Sequence, residues 1–292
     1  MNFHTVPTFP KRIEIELVSA CNLRCTYCPR HYVDMLKGYI DYTLFEKIID
    51  EIAHYPDSII VLHRRGESML HPKFNDMLNL VAGKFAEVQM ATNATLLHRD
   101  KYEALVTGLT FLSFSIDTPE RFNKTRIPAD YQKVEKNILD FLEYNNSRIK
   151  TQVSMVKTPA TSDEECDTFR EIWKGRVDRI RLYEEHSKEG KFGSLDNPRS
   201  DRKACVMPFY EMLIYDSGVV ARCNHDWNSE DDVQSMGNVT EDTIHDIWHN
   251  ERYDILRNEH VSLHFNDPVC KECDSWYPAI GTQGTGEIIE ND

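Results

Sequence analysis

Several things a sequence can offer are missing from this chain. It contains no run of about eighteen apolar residues, which excludes a membrane-spanning helix. Positive charge is scarce, with 34 Lys and Arg against 48 Asp and Glu and a formal net charge of −14. No basic stripe is left to neutralise phosphates, so nucleic acid is not expected as a partner. Residues 1–10 lack a charged stretch leading into an apolar one and do not read as a signal peptide. There is no internal repeat and no low-complexity tract apart from the last dozen or so residues. What is present is a chain of 292 residues, long enough to bury a full core, with eight cysteines. A cytoplasmic location is expected, and there such cysteines point to metal or catalysis and not to disulfides.

Three of them stand close together in Cys21-Asn-Leu-Arg-Cys25-Thr-Tyr-Cys28, directly after the alternating apolar segment 12–18, which reads as a strand. Three thiolates on one short loop can hold three corners of a cubane iron–sulfur cluster, whose usual complement is four. The fourth iron would lack a protein ligand and could bind a substrate. Zinc is the alternative, because His31 lies near enough in sequence to complete a four-ligand set.

Further strands are predicted at 58–62, 87–91, 111–116, 151–156 and 177–183. Between them lie helical patterns, such as Phe45, Ile48, Ile49 and Ile52, or Phe74, Met77, Leu78 and Val81. Thr43–Glu46 and Ser162–Glu165 read as capping boxes. Cys166 shares a helical face with Phe169 and Trp173 and is expected in the core, not at a metal. Strand alternating with helix predicts a parallel sheet with helical crossovers. Six such units are two short of a closed barrel. The expected fold class is therefore α/β, a partial (β/α)6 TIM-like barrel over 1–186 with a small C-terminal α+β domain over 204–280. Residues 187–203, rich in Gly, Ser, Asp and Lys, read as a linker, and 281–292 as a disordered tail.

The cysteine loop and the stretches after the next strands resemble the radical S-adenosylmethionine (SAM) superfamily. That resemblance implies a [4Fe–4S] cluster on Cys21, Cys25 and Cys28, with SAM on the open iron. Arg65-Gly66-Glu67-Ser68 is similar to the family's Gly-Gly-Glu-Pro, which implies that Gly66 and Glu67 receive the SAM ammonium. Thr92-Asn93-Ala94 resembles Thr-Asn-Gly, and Ala94 in the glycine's place requires an unstrained φ. Ser115 and Asp117 are placed at the ribose hydroxyls, although Asp117 before Pro119 also reads as a helix cap. Arg126 matches the arginine that pairs with the SAM carboxylate, a role suited to a fork of donors. Tyr27 is placed near the adenine, or as a shield for the cluster.

The late cysteines Cys205, Cys223, Cys270 and Cys273, with a hairpin around Asp216-Ser217-Gly218, resemble the family's SPASM extension in its short, twitch form. The resemblance implies a second [4Fe–4S] cluster with a complete ligand set. A structural zinc ribbon has the same ligand count. The spacing resembles that of twitch-bearing dehydrogenases of aminocyclitol biosynthesis. The activity expected is therefore oxidation of a small hydroxylated molecule, an amino sugar or cyclitol, with electrons from an external donor such as flavodoxin or ferredoxin. Arg181, Tyr183 and Glu184, ending the sixth strand, are candidate substrate contacts. Peptide maturation (crosslinking or epimerisation) and a non-catalytic zinc-binding protein are the alternatives.

Overall fold

Arg12, Glu14 and Glu16 alternate with Ile13, Ile15 and Leu17, and the backbone follows that period of two. The apolar set is fully buried against the helices, while Glu14 and Glu16 are buried on the opposite face. A computed structural model describes residues 5–33, 37–185, 187–188, 191–192, 201–227, 235–279 and 286–290. In it β1 (Arg12–Ile15), β2 (Ile59–Val61), β3 (Glu87–Thr92), β4 (Phe111–Ser115), β5 (Lys150–Lys157) and β6 (Arg179–Glu184) lie parallel, each beside the next.

Helical crossovers join them. They are α1 (Tyr42–Ile52), α2 (Phe74–Val81), α3 (Arg99–Gly108), α4 (Pro119–Thr125), α5 (Tyr131–Asn145) and α6 (Asp163–Trp173). Except for α4, which buries Arg121 and Phe122, each packs apolar side chains against the sheet, as α1 does with Phe45, Ile48, Ile49 and Ile52. Each such side chain contributes about 1.5–3 kcal/mol on burial. Cys166 is buried in this layer with Phe169 and Trp173, in the core as expected. The expected α/β partial barrel is the fold.

The C-terminal part does not stand apart from that barrel. β7 (Glu211–Ile214) pairs in parallel with β1, Arg12 opposite Glu211, and carries β8 (Val219–Ala221) and β9 (Gly237–Asn238) antiparallel beyond it. The hairpin turns at Gly218, whose φ of +87° only glycine adopts without cost. At the other edge β10 (Gly286–Glu290) runs antiparallel to β6, with Ile288 opposite Arg181. One sheet of ten strands results, in the order β9-β8-β7-β1-β2-β3-β4-β5-β6-β10. Among the described residues the C-terminal part also holds α7 (Ile244–Trp248), α8 (Glu251–Ser262) and α9 (Pro268–Glu272).

Four local expectations need correction or restriction. The first helix is capped by Asp41, which accepts from the Thr43 and Leu44 amides, and not by a Thr43 box. The Ser162–Glu165 box is present with both bonds. Ala94 takes a left-handed φ of 58°, the glycine conformation, despite its methyl group. Residues 286–290 of the expected disordered tail form the edge strand β10, because the open edge of β6 offers them backbone partners. Most of the expected linker and the rest of the tail lie outside the described residues. Among the described residues no helix is long and apolar enough to cross a membrane.

Candidate functional site

The loop after β1 carries Cys21, Cys25 and Cys28 to the carboxyl ends of the strands, where parallel barrels build their sites. Its path is set by close backbone packing. A Cβ on Gly66 would come within 2.2 Å of the Val18 carbonyl oxygen and 2.3 Å of that of Ala20, so only glycine fits. Beside it the Glu67 amide donates to the Ala20 carbonyl at 2.9 Å. Farther along, Cys25 pairs across a two-residue ladder with Arg126, and the Thr26 amide donates to Thr125. His31, the candidate fourth zinc ligand, instead places Nε2 2.9 Å from the Cys25 carbonyl oxygen.

The side chain of Glu67 is buried and held by its neighbours. Its carboxylate accepts from the Asn93 amide at 2.8 Å, the Thr92 hydroxyl at 2.9 Å and the Met69 amide at 3.2 Å. Those bonds clamp the loop after β2 to the loop after β3, and burial still pushes the Glu67 carboxyl above its usual range. Asn93 in turn donates from its side chain to Asn22 at 2.9 Å, tying the β3 loop to the cysteine loop.

Arg65, where the family pattern has glycine, turns into the barrel. Its guanidinium meets the Glu16 carboxylate at 2.6 Å with both side chains fully buried. It also stacks 3.8 Å over the Tyr215 ring and donates to the Trp227 carbonyl at 3.2 Å. Its neighbour Arg64 donates to the carbonyls of Asn224 at 2.8 Å and Asp226 at 3.2 Å. Four consecutive residues, 64–67, thus hold the first cysteine loop on one side and the loop following Cys223 on the other.

A second polar group sits behind Cys25. Asp117 is fully buried and takes the Arg126 Nε at 3.0 Å and Nη2 at 3.2 Å in a bidentate pair. The Thr125 hydroxyl donates to it at 2.7 Å and the Tyr27 hydroxyl at 3.3 Å. Asp117 is therefore not a helix cap; Thr118 occupies that position. Tyr27 stands beside the Arg126 guanidinium, 5.6 Å from the ring centroid. Ser115 lies on the inward phase of β4, with Phe111 and Ser113, while Leu112, Phe114 and Ile116 face the helices.

The inward face of the barrel carries many polar side chains. Arg12 donates to Glu211 at 2.8 Å and Gln89 at 2.9 Å. Arg179 donates to Gln152 at 2.5 Å, which donates to Ser113 at 2.8 Å. His63, just after β2, is held neutral because burial pushes its pKa down to about 3. Its Nδ1 accepts from the Ala91 amide at 3.0 Å, which leaves the ring proton on Nε2. Arg181 and Tyr183 fall on this inward phase of β6, the guanidinium 4.8 Å from the ring centroid. Glu184 does not join them. It shares the phase of Ile180 and Leu182 and meets Lys157 at 3.4 Å. His63 and the polar residues of β3 to β6 went unnoticed in the sequence, although their period-two phase was there to be read.

The four late cysteines converge. Cys205, Cys223, Cys270 and Cys273 line one cavity together with Met207, Leu256, His260, Trp276 and Tyr277. In both sets the thiols lie close enough to feel one another's charge, Cys25 with Cys21 and Cys28, and Cys270 with the other three. Burial pushes Cys25 up to about 12 and Cys205 up to about 11. Thiols grouped this closely fit a polynuclear cation that takes up the charge of the thiolates. Two histidines border the late set, His260 against Cys270 and His225 against Cys273. Neither was anticipated, because helix α8 and residues 224–225 carry no ligand spacing.

A partial barrel with three thiols at its mouth and four in an appended unit defines a class of enzyme that uses iron–sulfur clusters. The chain belongs to the radical SAM superfamily, which residues 15–172 match, and residues 205–274 match the SPASM iron–sulfur cluster-binding domain. Its cofactors are [4Fe–4S] clusters and SAM. It is 25% identical to the tungsten-containing aldehyde ferredoxin oxidoreductase cofactor-modifying protein of Pyrococcus furiosus, over 90% of this chain and 87% of that one. It is 23% identical to the SAM-dependent 2-deoxy-scyllo-inosamine dehydrogenase of Niallia circulans, over 90% of this chain and 92% of the other. Among solved structures, Streptococcus suis SuiB bound to SAM superposes with a TM-score of 0.73 at 14% identity, covering 94% of this chain and 74% of that one.

Proposed function

We propose that this radical SAM enzyme removes two hydrogens from a small hydroxylated biosynthetic substrate of the amino sugar or cyclitol class. The observation that carries the reading is the pairing of a polar inward face with a complete four-thiol set, joined through Arg64 and Arg65. Full-length similarity to a 2-deoxy-scyllo-inosamine dehydrogenase supports it. When bound at Cys21, Cys25 and Cys28, a cluster with SAM would supply radical hydrogen abstraction at an unactivated carbon, and a cluster on the four late cysteines would supply a place for electron exchange.

The chain's own residues then have distinct duties. Cys21, Cys25 and Cys28 hold the first cluster and Cys205, Cys223, Cys270 and Cys273 the second. The backbone at Gly66 receives the SAM ammonium, while the Glu67 carboxylate holds the Asn93 loop against the cysteine loop. Ser115 and Asp117 serve the ribose, with Asp117 also fixing Arg126 for the SAM carboxylate. Tyr27 closes the adenine side. Arg181 and Tyr183 contact the substrate, and His63, neutral with its proton on Nε2, offers a further donor after β2. A flavodoxin or ferredoxin in a reducing, cytoplasmic setting supplies the electron.

A second reading is peptide maturation, favoured by the likeness to SuiB, which has also been solved bound to the precursor peptide SuiA. Anaerobic incubation with SAM, reductant and a panel of cyclitols, amino sugars and candidate peptides separates the two. The expected result is 5′-deoxyadenosine with a cyclitol or amino sugar product lighter by two hydrogens. Turnover of a peptide alone, or solvent deuterium incorporated at unchanged mass, overturns it.

A further inference from the structure

We infer that His260 sets the reduction potential of the second cluster, donating a hydrogen bond from its Nε2 to the Cys270 thiolate. This rests on the reading that the four late cysteines hold a [4Fe–4S] cluster. The ring spans two of the four ligands. Its Nδ1 lies 3.0 Å from the Cys205 backbone nitrogen, and its Nε2 lies 3.4 Å from the Cys270 sulfur.

A backbone amide can only donate, so Nδ1 must present its lone pair to Cys205. In a neutral imidazole the proton is then on Nε2, aimed at the sulfur. No choice of tautomer is left open. The ring is also locked, being 1% exposed, with Phe265 packed edge-on at 5.0 Å.

A donor to a cluster thiolate stabilises the form that carries the extra electron more than the oxidised form, because the sulfur is then more negative. The potential rises. Outer-shell partners of this kind tune a metal site without binding the metal. Among the described residues the sulfurs of the front set meet amide nitrogens: Cys21 receives the Leu23 amide at 3.4 Å and has the Asn93 side-chain nitrogen 3.8 Å away, and the Arg30 amide serves Cys28. A second cluster poised higher than the first suits an acceptor for the electron that leaves the substrate radical as its hydroxyl proton departs and the carbonyl forms.

The test is an EPR-monitored redox titration of the anaerobic holoenzyme, with SAM added to mark the first cluster's signal. His260→Phe keeps the ring's shape and lacks the donor; His260→Gln keeps an amide donor. We expect the second cluster's midpoint to fall in His260→Phe at unchanged iron content, the first cluster's midpoint to hold, and His260→Gln to recover part of the shift. An unchanged second midpoint in His260→Phe overturns the assignment. If that variant loses the cluster, pulsed EPR on wild-type protein made with isotopically labelled histidine decides. An imidazole nitrogen coupled to the reduced second cluster and retained in His225→Gln supports the assignment, and absence of that coupling overturns it. About four irons per chain in wild-type protein, with only one cluster signal, would instead remove the second cluster itself.

Discussion

On the proposed function, the two cysteine sets of this protein use the same ligand atom for opposite ends. The front set has three half-buried thiols on a loop at the barrel mouth, braced from behind by the loops after β2 and β3. The rear set has four thiols around one cavity, walled by Trp276, Tyr277 and Leu256 and bordered by two histidines. On the proposed function, three ligands leave a corner for something that comes and goes, while four ligands leave only an electron to exchange. The number of thiols, not the chemistry of sulfur, then separates binding from storage.

Several variants would break or sharpen that contrast. The largest effect is expected from Cys28→Ala, which removes one of three ligands and should reduce 5′-deoxyadenosine formation to background by chromatography. Cys270→Ala should lose product yet keep uncoupled SAM cleavage. Equal product from that variant would show that the rear set has no part in the oxidation. Gly66→Ala should lower SAM cleavage about 100-fold, because a shift of roughly 1 Å in a positioning loop costs that much. It leaves both ligand sets chemically intact, so the iron content should stay.

Smaller effects fall on the seam between the two regions. Arg65→Leu leaves Glu16 buried and unpaired, and should destabilise the holoenzyme by about 3–5 kcal/mol in denaturant titrations. Glu14→Gln should change only the pH dependence. Burial, opposed by Arg64, raises the Glu14 carboxyl from 4.5 to about 7. The folded state therefore binds this proton more tightly than the unfolded state. Stability from this group is full below pH 4.5 and declines as pH rises toward 7. Thermal melts of Glu14→Gln across that range should show a flatter profile; an unchanged slope would place the coupling elsewhere.

Much of the fold was legible because it is written in short periods. The alternation at Arg12–Leu17 and the stripe at Phe45–Ile52 each depend on residues a few positions apart, and both produced the expected elements. The Ser162 box likewise needed only its own turn. Ala94 was misread for a reason outside its segment. The Thr92 hydroxyl and the Asn93 amide donate to Glu67 and anchor the turn in which Ala94 is left-handed, at roughly 1–2 kcal/mol for a residue with a Cβ. The edge strand at 286–290 depends on an open edge more than a hundred residues earlier, which no local pattern records.

By itself, the sequence determined the alternating strands and helices, the two sets of thiols and the family they resemble. Ligand spacing and helical or strand period are properties of neighbouring residues, and they survive without coordinates. Only the tertiary structure decided that the hairpin after Cys205 joins the barrel's own sheet beside β1. The same holds for Asp117 bonding Arg126 and the imidazole of His260 reaching Cys270. Those contacts depend on how the chain turns between the partners, and packing selects among partners that composition alone leaves equivalent.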